Sequence, residues 1–271
     1  MNKSFLKWAG GKLKLLDKIL PHIEGCNALI EPFCGSGVVW MNSKNRIRVV
    51  ADINVDLINL FSHIQKEGND FIEYAETFFV DGNNQERYIE YRDKFNSTQD
   101  SREKSALFIY LNRHCYNGLW RYNKEGKFNV AFFKHKTIYF PREEMMTAHA
   151  ESKKGVVFVP GSFEYAFTGA ASPGDVIYCD PPFDIVDTGR KRHDGGYVAY
   201  GKMGFGKEEQ IKLARFVKSA PCKVVVSNSD TPFIREIYAG LQFYELSVRR
   251  FMACKEKNKM GELLIVKEQP A

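Results

Sequence analysis

The chain has 271 residues, 44% of them hydrophobic and 27% charged, enough for one large domain or two small ones and unlike a disordered tail or a disulfide-stapled miniprotein. Its 39 Lys and Arg against 33 Asp and Glu leave a net charge of +6, which leans toward a polyanionic partner without demanding one. No stretch approaches the roughly 18 consecutive apolar residues of a membrane-spanning helix, and the opening MNKSFLKWAGGK lacks a secretory apolar core, so a cytoplasmic chain with no membrane partner is expected.

After a polar arm, residues 28–33 and 47–51 read as short buried strands with a helix between them. The first runs into Cys34-Gly-Ser-Gly37 and the second ends at Asp52, the strand, turn, helix, strand, acid layout of a nucleoside-binding half. Without β-carbons, Gly35 and Gly37 let a backbone approach a ligand, and Asp52 would accept hydrogen bonds from ribose hydroxyls. A dinucleotide fingerprint is broken by Trp40 at its third glycine position, and no P-loop is present. The plainer alternative is a tight turn of an α/β fold.

Residues 55–115 read as helical, with Leu57, Leu60, Phe61 and Ile64, and later Leu107, Tyr110 and Leu111, at the spacing of one buried face. From 116 to 140 the chain is rich in Asn, Gly and aromatics, and Asn123-Lys-Glu-Gly126 before alternating Phe128, Val130 and Phe132 predicts a hairpin. Charge is placed unevenly: residues 51–100 hold eleven acids and four bases, whereas residues 111–142 hold seven bases and one acid. Aromatics interleaved with cations suit base stacking plus phosphate contact; a solvated basic face over an aromatic core is the competing reading.

Runs at 156–159, 176–179, 224–226 and 263–266 read as further strands, with helices at 207–219 and 232–239. The alternation predicts an α/β fold with one sheet built from both ends of the chain, 1–54 and 142–271, and a mainly helical insert with a hairpin at 55–141. A loop at 184–206 carries six glycines and the basic run Arg190-Lys-Arg-His193. The cysteines (Cys26, Cys34, Cys115, Cys179, Cys222, Cys254) form no C-x-x-C pair, so no metal cage is expected.

Asp180-Pro-Pro-Phe183 follows directly on an apolar strand. Two prolines fix φ and remove N–H donors, leaving the Asp180 carboxylate and the Pro181 carbonyl as rigid acceptors at a strand's carboxyl end. That arrangement suits an aromatic amine such as that of adenine, whose lone pair is delocalised into the ring. Accepting both amine hydrogens favours rehybridisation toward sp³ and frees the lone pair to attack a cationic sulfonium methyl in line. Phe183 would stack on the base, which has to leave the duplex to reach this point.

Together, Phe5-Leu-Lys-Trp-Ala-Gly-Gly-Lys12, Glu31-Pro-Phe-Cys-Gly-Ser-Gly37, Ala51-Asp-Ile-Asn54, Tyr116-Asn-Gly-Leu-Trp-Arg-Tyr-Asn123, Tyr178-Cys-Asp-Pro-Pro-Phe183 and Ser227-Asn-Ser-Asp230 closely resemble the Dam-type DNA adenine methyltransferases of bacteria and phages. The resemblance covers almost the whole chain. It implies a Rossmann-like doubly wound methyltransferase sheet, S-adenosylmethionine as cofactor, and methyl transfer to N6 of a flipped adenine in double-stranded DNA, within GATC. Residues 1–54 and 142–271 would be the catalytic, cofactor-binding domain and 55–141 the target-recognition domain. No obligatory protein partner is implied.

Carried over by motif, Trp8, Lys12, Asp52 and Asp180 resemble cofactor contacts, with Phe33, Gly35 and Gly37 shaping that pocket. Asp180, Pro181 and Phe183 resemble the catalytic set, Phe183 standing where many relatives carry Tyr. Lys7 resembles the reader of the first guanine, and Leu119 and Arg121 the readers of later bases, Leu against a thymine methyl and Arg bidentate to a guanine. Tyr116 and Asn117 resemble residues that fill the gap left by the flipped base, and Asn123, Lys134 and His135 complete the expected DNA contacts. In Phe128-Asn-Val-Ala-Phe-Phe-Lys-His135 the family more often has Pro at 131, Arg at 134 and Tyr at 135. A forked cation is thereby replaced by a point charge, which opens an alternative of relaxed or altered site choice. Rival readings are a catalytically silent DNA-binding relative, a cytosine amino methyltransferase, which usually carries Ser at the place of Asp180, an RNA or protein-glutamine methyltransferase, whose motif commonly begins with Asn, and a nicotinamide oxidoreductase, disfavoured by the incomplete glycine fingerprint.

Overall fold

Val- and Ile-rich strands pair edge to edge into one layer. In the computed structural model, which describes residues 1–80, 83–183, 205–246 and 261–270, the strands are β1 (Ala28–Glu31), β2 (Ile47–Asp52), β3 (Val156–Pro160), β4 (Val176–Cys179), β5 (Lys223–Ser229), β6 (Gln242–Leu246) and β7 (Glu262–Lys267). Their order is β3-β2-β1-β4-β5-β7-β6. The pairs from β3 to β5 are parallel, and β7 runs antiparallel to both its neighbours. Every residue of β4 and nearly all of β5 is buried, as a sheet covered on both faces requires. The order reverses between β1 and β4, so their carboxyl ends part to leave a crevice, the usual ligand position of an open α/β sheet.

Helices cover both faces. On one, Leu16, Ile19 and Ile23 of α1 (Leu16–Ile23) pack with Leu29, Val176, Val225 and Leu264. On the other, Leu213, Ala214 and Val217 of the amphipathic Lys207–Ser219 helix pack with Ile177, Val224 and Val226. The predicted helical block is α2 (Val55–Glu67), α3 (Asn69–Thr77), α4 (Gln85–Ser97) and α5 (Ser101–His114). The Asn54 side chain caps α2 by accepting from the Leu57 N–H at 3.2 Å, and Leu57, Leu60, Phe61 and Ile64 are buried as their spacing predicts. From Ser105 to His114 α5 is buried all round, because α2, α3 and α4 surround it. Helices α6 (Arg142–Ser152), α7 (Lys207–Ser219) and α8 (Pro232–Ile237) complete the described set.

Two expectations are corrected. No helix joins β1 to β2: residues 32–46 form successive turns. Gly35 and Gly37 take φ of +45° and +76°, outside the helical region. Side chains then take up carbonyls that helical N–H groups would have used, Asn42 Nδ2 bonding Val38 at 2.8 Å and the Arg48 guanidinium bonding Trp40 and Ser43 at 3.1 and 3.2 Å. The 116–140 hairpin is reduced to two isolated bridges, Cys115 with Phe132 and Tyr122 with Phe128. Its turn forms at Asn123 to Gly126, but α4 side chains occupy the backbone beyond it. Asn96 clamps both the N–H and the carbonyl of Phe128 at 2.8 and 3.0 Å, and the Tyr88 hydroxyl donates to the Val130 carbonyl at 2.8 Å.

Helix α1 and strand β6 were not foreseen. Pro21 interrupts the helical pattern of the first, and the second is an edge strand with mostly polar, solvent-facing residues. Nearly all of the glycine-rich 184–206 segment, with its Arg190 to His193 run, and Cys254 lie outside the described residues. Among the described residues no helix is long and apolar enough to cross a membrane.

Phe108 of α5 is fully buried and stacks on Trp120, joining the helical block to the 120–128 segment. Truncating it in Phe108→Ala is expected to cost about 3–5 kcal/mol, read as a lowered urea unfolding midpoint.

Candidate active site and nucleic-acid interface

The crevice starts where β4 stops. Asp180 follows buried Cys179, and Pro181 and Pro182, lacking N–H groups, cannot extend the ladder. A side-chain relay fixes the loop they form. Asn228 of β5 donates to Gln210 Oε1 at 3.1 Å, and Gln210 Nε2 donates to the Pro182 carbonyl at 2.8 Å. Both relay residues are buried.

Lys12 lies beneath this loop. Its buried ammonium is 2.8 Å from Asp180 Oδ1 and 3.3 Å from Glu262 Oε1, donates to the Gly10 carbonyl at 2.9 Å, and sits 4.5 Å from the centre of the Phe183 ring. Glu31, at the end of β1, is 2% exposed, and its Oε2 has no hydrogen-bond partner among the described residues. Burial, and then the nearby Asp180, push its carboxyl well above the usual carboxylate range. Asp180 and Glu262 thus share one ammonium, with Glu31 beside Asp180. Neither glutamate was singled out in the sequence. The only available sign was an acid at the edge of an apolar run, Glu31 closing β1 and Glu262 opening β7.

On the β2 side, Asp52 is tied to the glycine turn. The Gly35 N–H donates to its Oδ2 at 3.1 Å and the Asn54 N–H to its Oδ1 at 2.9 Å. Burial pushes its carboxyl up to about 6, against the pull of these two donors. The glycines have a packing reason as well as a ligand one. A Cβ at Gly35 would lie 2.9 Å from the Trp8 indole nitrogen, and one at Gly37 would lie 2.6 Å from that of Trp40. Phe33 stacks on Phe163 with ring centres 5.5 Å apart and meets Phe205 edge-on, forming an apolar wall. Ile53, beside Asp52, is 60% exposed, an apolar surface the sequence reading overlooked.

The expected DNA contacts lie along the arm and the 116–135 segment. Half-buried Lys7 places its ammonium on the Arg113 carbonyl at 3.2 Å, and burial, followed by the Arg113 charge, lowers its pKa. Tyr116 is 52% exposed and meets exposed Phe133 edge-on. Asn117 is exposed with φ +53°, a left-handed position that asparagine tolerates. Leu119 is half-buried against the core, while Arg121 Nε bonds Asn129 Oδ1 at 3.1 Å. Asn123 spends its side-chain oxygen on the N–H groups of Glu125 and Lys127, at 3.0 and 2.9 Å, so it builds the turn. Lys134 is exposed, and His135 Nε2 is 3.2 Å from the Cys115 carbonyl. Trp120 and Phe128 are buried beneath this surface, whereas Tyr116 and Phe133 are exposed, so the stretch combines a packed aromatic foundation with an exposed aromatic face.

A family model described as D12 class N6 adenine-specific DNA methyltransferase matches residues 8–252. The DNA adenine methylase of Serratia marcescens is 37% identical over 270 residues, covering 97% of each chain. That of Escherichia coli strain K12 is 36% identical over 269 residues, covering 97% of this chain and 94% of the relative. The DNA N-6-adenine-methyltransferase of Escherichia phage P1 is 40% identical over 259 residues, but this chain spans only 33% of its length.

Replacing Lys12 by Met removes the ammonium held between Asp180 and Glu262. Breaking a buried pair from one side costs about 3–5 kcal/mol, and a loss of that size is expected in urea unfolding of Lys12→Met. Adding Glu262→Gln should then cost less than the two single losses summed, because the glutamate no longer has the ammonium to lose.

Proposed function

Because the chain belongs to the D12 class N6 adenine-specific DNA methyltransferases, we propose that it moves the methyl group of S-adenosylmethionine to the exocyclic N6 of an adenine flipped out of duplex DNA, within GATC. The observation that carries this reading is the position of Asp180 and its prolines at the carboxyl end of β4, across the crevice mouth from the Asp52 and Gly35 pair.

The residues present fit the cofactor. Asp52 is the acceptor for ribose hydroxyls, exposed Ile53 and half-buried Phe33 supply apolar surface for an adenine ring, and the bare backbone at Gly35 and Gly37 permits close approach. Carboxylates crowded around Lys12 favour a ligand that carries positive charge. When bound, S-adenosylmethionine supplies an electrophilic methyl carbon on a cationic sulfur. The chain's own part is to hold the nucleophile. Asp180 accepts one N–H of the target amine and the Pro181 carbonyl the other, so the lone pair turns toward the methyl while Phe183 stacks on the base. Lys12 holds Asp180 in place from below, and the Gln210 relay keeps Pro182 from drifting.

Residues 55–141 serve as the target-recognition part in this reading, and 1–54 with 142–271 as the catalytic part. Lys7, Leu119 and Arg121 read bases, Tyr116 and Asn117 fill the gap, and Lys134 contacts the backbone phosphates. A second reading, relaxed site choice, is favoured by the exposure of Ala131 and Lys134, at places where the family more often has Pro and Arg.

Labelled methyl transfer to DNA is expected, and its loss in Asp180→Ala. DNA treated with the protein is expected to be cut by an endonuclease specific for methylated GATC; methyladenine mapped mainly outside GATC would overturn that assignment. Since the Asp52 carboxylate takes up a proton near pH 6, S-adenosylmethionine affinity should fall as pH drops from 7 to 5. Equilibrium binding to Asp52→Asn should be weaker and nearly flat over that range.

A further inference from the structure

Asn112 is an asparagine inside helix α5 with no exposed surface, an unfavourable place for a polar amide unless every group on it is engaged. It is engaged with the chain's opening arm. Its Oδ1 accepts the Lys7 N–H at 2.8 Å and its Nδ2 donates to the Lys7 carbonyl at 2.8 Å, so one side chain saturates both backbone groups of Lys7 from 105 residues away. The same Nδ2 lies 3.4 Å from the Gly118 carbonyl. Gly118 packs directly against Lys7. It takes φ +67°, and a Cβ there would lie 2.2 Å from Lys7 Cβ and 3.0 Å from its carbonyl oxygen. One residue beyond Gly118, Cys115 Sγ donates to the Leu119 carbonyl at 3.3 Å.

We propose that Asn112 is a positioning residue for base discrimination: it fastens the Lys7 arm and the 116–121 loop into one rigid reading unit. The inference rests on the reading that Lys7, Leu119 and Arg121 contact bases. Lys7 belongs to the arm that ends at catalytic-site Lys12, whereas Leu119 and Arg121 belong to the recognition segment. A duplex presents base edges at fixed spacing, so readers on two separate segments discriminate only if the distance between them is fixed. Asn112 fixes it through the backbone of Lys7, which leaves the lysine side chain able to leave the Arg113 carbonyl for a base edge. Losing one reader should relax one position of the site. Loss of Asn112 should relax positions read from both segments together.

The test uses the full chain and short duplexes with one GATC or a single-base variant of it, measuring kcat/KM on each. Lys7→Ala and Arg121→Ala establish which position each reads. Asn112→Ala is expected to lower discrimination at both positions by roughly tenfold or more, the scale of a lost base contact, while S-adenosylmethionine affinity stays within twofold. Asn112→Asp, which keeps the acceptor for the Lys7 N–H and loses both donors, should show the same pattern. If Asn112→Ala fails to fold, Gly118→Ala probes the same contact from the other side and should reproduce the double relaxation. A uniform fall in kcat/KM on every duplex, with ratios unchanged, or unchanged ratios in a folded Asn112→Ala, overturns the proposal. If Lys7→Ala and Arg121→Ala themselves leave every ratio unchanged, the assignment of the readers fails, and the proposal with it.

Discussion

One buried ammonium organises the crevice. Lys12 sits between Asp180 at the end of β4 and Glu262 at the start of β7, and Glu31 at the end of β1 lies near Asp180. Charges taken out of water are costly, and carboxylates crowded together raise the cost further, as the upward push on Glu31 records. The strands by themselves bring these acids together, and their own cations are engaged elsewhere, Arg48 with Glu151, Lys223 with Glu268 and Lys267 with the Ala220 and Cys222 carbonyls. The opening arm brings the cation that offsets them. The sheet's ligand crevice therefore depends on a segment that belongs to none of its strands.

That arm is tied down along its whole length. Phe5 and Leu6 are buried in the core shared with α2 and α5, Lys7 is clasped by Asn112, Trp8 lies against Gly35, and Lys12 reaches Asp180. These attachments reach several elements, so the arm joins α5, the glycine turn and the Asp180 loop. In the proposed reading, the base reader Lys7 and the support that Lys12 gives Asp180 therefore share one continuous stretch of backbone.

The 116–140 segment is built by a different means. A few backbone pairs remain, Asn123 with Lys127 and Asn129 with Arg121, and side chains of α4 and α5 take up further backbone groups: Asn96 on Phe128, Tyr88 on Val130, Asn112 on Gly118. A segment held from beneath in this way needs little pairing with itself. It can bury Trp120 and Phe128 while turning Tyr116, Asn117 and Phe133 outward. The mixture of basic and aromatic residues between 111 and 142 is thus part buried foundation and part exposed surface.

Much of this architecture is local, and local patterns are legible in a sequence. Continuous β-branched runs determined the central strands, the spacing of Leu57, Leu60, Phe61 and Ile64 determined a helix face, and Asp180 before two prolines marked the loop where β4 stops. The glycine turn and Asp52 were visible for the same reason. What the tertiary structure alone decided are contacts between residues far apart in the chain: Lys12 with Glu262, Asn112 with Lys7, Asn96 with Phe128, Gln210 with Pro182. The shortened hairpin belongs with these: backbone groups of Phe128 and Val130 that a periodic pattern assigns to a ladder are taken by side chains of α4, and no short-range pattern records that competition. The absent helix after β1 is a local matter, set by the positive φ of Gly35 and Gly37.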